Sequence, residues 1–214
     1  MSTDQARSRM TTTSYALLGL LALKPWTTYE LTQQMERSLG RIWPRATSKL
    51  YEEPKKLVAL GLARASDDPV GRRRRTVYSI TARGRRALAR WLRTPGAGPV
   101  LEFEQLLQLH FAEHGSKQDA LATLAAARTW AIERNEENLA VGRTYLAGEG
   151  LFQDRAAINS LGGRFLTDFY AMVKDWAEWA TAIVDAWPDD PAAAQVDMAD
   201  LAESVRRAEA TAEL

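Results

Sequence analysis

A chain of 214 residues, 46% hydrophobic and 26% charged, can form one or two domains with a real core. It has no run of about 18 apolar residues, no signal-like apolar stretch in its polar start MSTDQARSRMTTTS, and no cysteine. These absences exclude a membrane-spanning helix, disulfides and a thiolate zinc site from the expectation, and make a reducing cytoplasm the expected location. A net charge of +1 hides an asymmetry: residues 1–94 hold 19 Lys+Arg against 7 Asp+Glu, and residues 95–214 hold 9 against 20. The first half points to a polyanion partner, unless the halves merely neutralise each other in a dipolar protein.

SYALLGLLAL, residues 14–23, is compactly apolar and of helical length. In the next segment, WTTYELTQQMERSL, Thr27 and Glu30 have capping-box spacing, and Trp26 and Leu31 occupy the positions of a hydrophobic staple. A third helix is predicted over about residues 48–60, with Leu50, Leu57, Val58 and Leu60 apolar and Gly61 ending it. Pro54 falls inside this helix, where it removes a backbone donor and crowds residue 50. Either the helix kinks there or its first turn is irregular.

LARASDD and RTVYSIT then flank DPVGRR, an Asp-Pro/Gly turn, and predict a β-hairpin with Thr76, Tyr78 and Ile80 on one face. Thr81 caps a further helix whose apolar stripe is Ala87, Leu88, Trp91 and Leu92. TPGAGP, residues 94–99, is a linker, so a domain over 1–94 precedes one over 100–214.

Beyond the linker the pattern is helical throughout. LEFEQLLQLHFAEHG is one predicted helix, and SKQD opens a long second one with Ala125, Ile132, Leu139 and Leu146 seven apart. After an interruption near GEGLFQD, another helix carries Phe165, Phe169, Met172, Trp176, Trp179, Ile183 and Trp187 in alternating steps of four and three. Such a stripe buries itself against a helix of the same or a partner subunit, or walls a pocket for a flat effector; the dimer seam is the simpler reading. The last segment, VDMADLAESVRRAEA, is either a short amphipathic helix or a frayed tail.

The fold class expected is therefore mainly α: a winged helix-turn-helix of three helices plus a β-hairpin, followed by an all-α dimerisation domain. In such a domain the third helix enters the major groove and the wing reaches backbone or minor groove. Thr47, Ser48, Lys49 and Tyr51 lie near the start of that helix, and Lys55 and Lys56 one turn on. Arg72, Arg73, Arg74 and Arg75 crown the wing, where a planar guanidinium suits phosphate oxygens or a narrow groove. Ser48 has the alternative of capping the helix, and Tyr51 of anchoring it to the core.

At this point the residues resemble the PadR family of transcriptional regulators. The stretches that carry the likeness are SYALLGLLAL, TTYELTQQME, LYEEPKKLVALGLA, RRRTVYSITARGRRALARWL and EFEQLLQLHFAE. It covers residues 13–114 and continues more weakly through the helical remainder. Thr28 stands where the family often has glycine, and Pro54 where a leucine is usual. The resemblance implies a homodimeric repressor joined through C-terminal helices on a palindromic operator near its own or a neighbouring gene. It also implies release, in some members, by phenolic acids or by hydrophobic drugs and dyes, and it implies neither a cofactor nor a membrane partner.

Two other classes compete. HFAEH, with His110, Glu113 and His114, matches the H-x-x-E-H zinc-peptidase pattern, and helical spacing would place both histidines on one face. A catalytic zinc needs a third ligand and a base in a cleft, and no motif supplies them. No G-x-S-x-G, P-loop or Rossmann pattern occurs, so the expectation is no enzyme. A protein-binding adaptor built on the winged domain would leave the four arginines without a purpose.

Overall fold

The computed structural model describes residues 10–44, 47–70 and 73–212. Two compact units result, Met1–Pro99 and Val100–Leu214.

In the first unit, α1 (Thr12–Leu23) begins at a capping box in which Thr11 and Ser14 satisfy each other's backbone donors. Leu17, Leu18, Leu20 and Leu21 are buried, so this nearly all-apolar helix forms the centre of the unit rather than a surface. Lys24 and Pro25 end it. A two-residue strand, β1 (Trp26–Thr27), which the sequence pattern did not foretell, leads into α2 (Thr28–Gln34) and a π-helical turn over Met35–Leu39. The predicted cap is present: Glu30 N–H donates to Thr27 Oγ1 at 3.3 Å and Thr27 N–H to Glu30 Oε2 at 2.9 Å.

The third helix, α3 (Thr47–Ala59), continues through Pro54. Leu50, Pro54 and Leu57 lie four and three residues apart and all three are buried, so the pyrrolidine ring fills a slot in the core face. Gly61 takes φ +66°, and the Leu62 N–H reaches back to the Leu57 carbonyl at 2.9 Å. This left-handed closure favours glycine.

β2 (Ala63–Val70) and β3 (Arg73–Ile80) pair antiparallel, and β1 joins the other side of β3 in the order β1-β3-β2. The register runs from Ala63 opposite Ile80 to Val70 opposite Arg73. The expected DPVGRR turn is therefore too long: Asp67 to Val70 belong to the strand. Pro69 is tolerated because β2 is an edge strand, where a missing N–H leaves no partner unsatisfied. Tyr78 is buried and Ile80 half-buried, while Thr76 on the same face is exposed.

Thr81 ties the base of the hairpin together. Its hydroxyl lies 2.8 Å from the Gly61 carbonyl and 3.1 Å from that of Leu62, and it caps α4 (Ala82–Trp91) by accepting from Gly84 N–H at 3.0 Å. A Cβ on Gly84 would stand 2.1 Å from the Leu62 carbonyl oxygen. Of the stripe expected on α4, Ala87 is buried and Leu88 half-buried, but Trp91 and Leu92 are exposed; Trp91 stacks on Tyr15 at 5.0 Å.

In the second unit, α5 (Glu104–Leu109) is short and gives way to a 3-10 turn over Ala112–His114. One continuous helix over LEFEQLLQLHFAEHG is thus not formed, and His110 and His114 do not share a helical face. Helices α6 (Lys117–Leu146) and α7 (Ala156–Asp185) have 30 residues each, about 45 Å of rise. Ser116 and Asp119 form the expected capping box on α6. The two helices lie antiparallel: Ala120 and Leu124 meet Ala180 and Val184 at one end, and Asn138 Nδ2 donates to the Gly163 carbonyl and Thr167 Oγ1 toward the other. Alanines on both sides, including Ala127, Ala131 and Ala177, bring the backbones close.

Both apolar series read from the sequence lie off this seam. Ala125, Leu139 and Leu146 are exposed and Ile132 is half-buried. On α7, Tyr170, Val173, Ala177, Ala180 and Val184 are buried, whereas Phe165, Met172 and Trp179 are 55%, 54% and 48% exposed. Phe165, Met172 and Trp179 stay exposed in their own subunit, while Phe169 is half-buried and Trp176 packs against the Ala120–Leu124–Ala180–Val184 cluster. Finally, α8 (Met198–Ala212) is helical rather than frayed, and none of its residues is buried.

Two outcomes check these assignments. Gly84→Ala should destabilise the protein by about 1–3 kcal/mol in chemical denaturation, while Gly19→Ala, in open space on α1, should stabilise it by about 0.5–1 kcal/mol. Hydrogen bonds from the Thr27 backbone and hydroxyl hold the Glu30 carboxyl below its usual range, with help from Lys24 and Arg75. A lowered folded-state value gives stability that is present above the ordinary carboxylate pKa and lost as pH falls through the lowered one. The deficit of Glu30→Gln should be measurable at pH 7 and disappear on acidification.

Candidate nucleic-acid interface

The side chains that α3 turns away from the core are polar. Tyr51 is exposed, so it does not anchor the helix, and Glu52 and Lys55 are exposed beside it. Lys55 Nζ sits 3.2 Å from Glu52 Oε1 in solvent, a pairing weak enough for phosphate to displace. Thr47, Ser48 and Lys49 form the first turn of the helix, but their side chains lie outside the described residues.

Lys56 is placed differently from expectation. Its ammonium lies 3.2 Å from Glu53 Oε1 and 3.2 Å from Ser14 Oγ, and Ser14 donates to Glu53 Oε2 at 2.8 Å. With Lys56 and Glu53 side chains only 20% and 16% exposed, this triad fastens α3 to α1 instead of offering a free cation.

On the wing, Arg73, Arg74 and Arg75 belong to β3 and lie opposite Val70, Pro69 and Asp68. Arg75 is exposed, and its field reaches Glu30 at the start of α2. Arg72, in the two-residue connection, lies outside the described residues, as do the side chains of Arg73 and Arg74. Asp67 and Asp68 pair with Thr76 and Arg75 in the ladder. The element-by-element reading missed two further sets of cations. Arg64 Nε donates to Ser79 Oγ at 3.0 Å across the hairpin, and Arg83, Arg86 and Arg90 are exposed along α4. The 3–4 spacing within ARGRRALAR was the available signal for the second set.

The stripe Phe165, Phe169, Met172, Trp176, Trp179 and Ile183 stays on the outward side of α7, with Phe169, Trp176 and Ile183 half-buried. Phe165 and Phe169 stack on each other at 6.4 Å, and Trp130 of α6 meets Phe169 edge-on at 6.3 Å. Among the described residues, no three of His, Asp and Glu converge as metal ligands. His114 and Glu113 are exposed and 3.7 Å apart. No helix among the described residues is long and apolar enough to cross a membrane.

Comparison with known proteins accords with this geometry. Residues 17–90 match the Transcriptional regulator PadR-like family. The negative transcriptional regulator PadR of Bacillus subtilis (strain 168) is 30% identical over 108 residues, which span 50% of this chain and 59% of that relative. Among solved structures, B. subtilis PadR in complex with operator DNA aligns with a TM-score of 0.71 at 22% identity, over 81% of this chain and 99% of its own. The same regulator in complex with p-coumaric acid aligns at 0.63, with 22% identity, over 80% and 98%. The architecture is thus mainly helical with a small antiparallel sheet, as in the solved PadR structures, and residues 17–90 carry the match to the PadR-like family of transcriptional regulators.

Proposed function

We propose that the chain is a sequence-specific, homodimeric DNA-binding regulator that represses a neighbouring gene from a palindromic operator, and that it has no catalytic role. The observation that carries this reading is a winged unit whose sequence, residues 1–94, has a net charge of +12. On it, the polar face of α3 and an arginine-bearing hairpin are fixed to each other through Thr81. In this reading Thr47, Ser48, Lys49 and Tyr51 meet base edges and nearby phosphates, and Lys55 and Arg72 to Arg75 grip the backbone. Lys56 serves the fold. The reader acts in the cytoplasm, where chromosomal DNA is accessible.

Dimerisation belongs to the outward stripe of α7. A contiguous row of large aromatics facing solvent on an isolated chain is costly, and a second copy covers it. Two readers held together can then match two half-sites about one helical turn apart. A small aromatic effector is a further part of the proposal, supported by the p-coumaric acid complex of the related B. subtilis regulator. Such a ligand acts by binding the DNA-free arrangement more tightly than the bound one.

Selection of bound duplexes from random DNA should return a palindrome; a preference for no sequence, even at low salt, would overturn the reading. Arg75→Ala should lower the slope of log affinity against log salt by about one. Lys56→Met should leave that slope unchanged and show its effect in thermal stability. Met172→Asp should shift the protein from dimer to monomer in sedimentation and weaken operator binding by at least about tenfold.

A further inference from the structure

Residues 71–101 hold nine arginines and no carboxylate. Four of the nine crown the wing; the other five lie on α4 and just past its end. Arg83, Arg86 and Arg90 recur in steps of three and four, which keeps them within about 60° of helical arc. All three are exposed. Among the described residues none of them meets a carboxylate, whereas Arg128, Arg164, Arg206 and Arg207 of the second unit each do. Like charges at these spacings repel one another and weaken a helix. Nothing among the described residues offsets that repulsion.

The row stands apart from the turn that reads DNA. The Arg83 guanidinium lies 3.6 Å from where a Cβ on Gly61 would stand, at the far end of α3. From there α3 runs back to Thr47 over 13 residues, about 20 Å of rise. The row is nevertheless continuous with the wing. Arg75 lies on β3, and Arg64 and Arg83 stand at the Thr81 junction: Arg64 pairs with Ser79, two residues before Thr81, and Arg83 follows two residues after it. Arg75 to Thr81 is about 20 Å of strand, and Arg83 to Arg90 about 10 Å of helix. The cationic path is therefore close to one turn of duplex, about ten base pairs.

What the row lacks decides its partner. The other residues on its arc are Ala82 and Ala89, so no large apolar side chain is there to anchor a folded protein. Nucleic-acid interfaces are polar and strongly cationic, and a guanidinium fork takes phosphate oxygens in pairs.

We propose that Arg83, Arg86 and Arg90 grip the phosphate backbone of DNA flanking the operator, so that the duplex bends along the wing toward α4. Bending so short a segment has an elastic cost, which the added contacts offset. The flank is tethered to the half-site already bound, and so has an effective concentration that a separate duplex lacks. This rests on the regulator reading above and adds a contact that neither the first turn of α3 nor the wing tip makes.

The test uses the full-length protein on the minimal selected operator and on the same operator lengthened on one side. An extension of about 20 base pairs, twice the reach of the row, is sufficient. It should tighten binding about tenfold and steepen the slope of log affinity against log salt by about three, one per phosphate held. Arg83→Gln/Arg86→Gln/Arg90→Gln should lose both gains and keep its affinity for the minimal operator. Arg83→Lys/Arg86→Lys/Arg90→Lys should recover the steeper slope. An extension that adds nothing for the unsubstituted protein, or a gain that survives in the glutamine variant, overturns the proposal. Equal weakening of the glutamine variant on the minimal operator overturns it as well, because the row would then belong to the primary grip. So does equal capture of a separate, unlinked duplex by the operator-bound protein, which would make the row a bridge. Intact operator selectivity without a length effect removes only the flank contact; random selection that returns no motif removes the regulator reading and the flank contact with it.

Discussion

Everything the winged unit can do depends on the junction where Thr81 meets the end of α3. One hydroxyl contacts the Gly61 and Leu62 carbonyls while it caps α4, and Gly84 lets that helix approach the Leu62 backbone with no side chain between them. Beyond the short β1 strand, which pairs only with Val77 and Tyr78, the hairpin is a two-stranded ribbon with little stability of its own, and the Thr81 junction adds a second hold at its base. The Thr81 hydroxyl ties the base of the hairpin to the end of α3. The Ser14–Glu53–Lys56 triad does the same for the other side of α3, locking it against α1. Both devices use polar groups that are partnered where they are partly buried, so each adds specificity of position without a large desolvation penalty.

The parts of this architecture that were legible in the sequence are the local ones. The Thr27–Glu30 and Ser116–Asp119 caps, the helix stop at Gly61 and the Thr81 start follow from hydrogen bonds between residues no more than five apart. The family likeness through the first half also predicted the winged fold that comparison supports. What the pattern could not give depended on distant partners. β1 exists only because Trp26 and Thr27 find Tyr78 and Val77. Asp-Pro read as a turn because its propensity is local, whereas its place on an edge strand is tertiary. Lys56 had the spacing of a phosphate contact until Ser14, 42 residues away, captured it.

The phase of the long helices was harder still. On α6 the series Ala125, Ile132, Leu139 and Leu146 competes with Ala120, Leu124, Ala127 and Ala131, and hydrophobicity alone favours the bulkier set. The protein buries the smaller one. Close approach of two backbones rewards alanine on the seam, and the bulky residues are left for another surface. Size, not apolarity, decided which face turned inward.

Asn138 has a consequence of this kind. It is the one polar side chain among the buried residues of α6, and its amide reaches Gly163 and Thr167 on the opposing helix. Sliding one helix past the other by a heptad would keep alanine against alanine but strand that amide in a dry seam, at a cost of about 1–3 kcal/mol. The seam therefore carries a polar lock among its buried residues, beside the exposed Arg128–Glu178 pair that links the same two helices. The hairpin becomes a strut of fixed length, and whatever is mounted at its two ends inherits a constant separation.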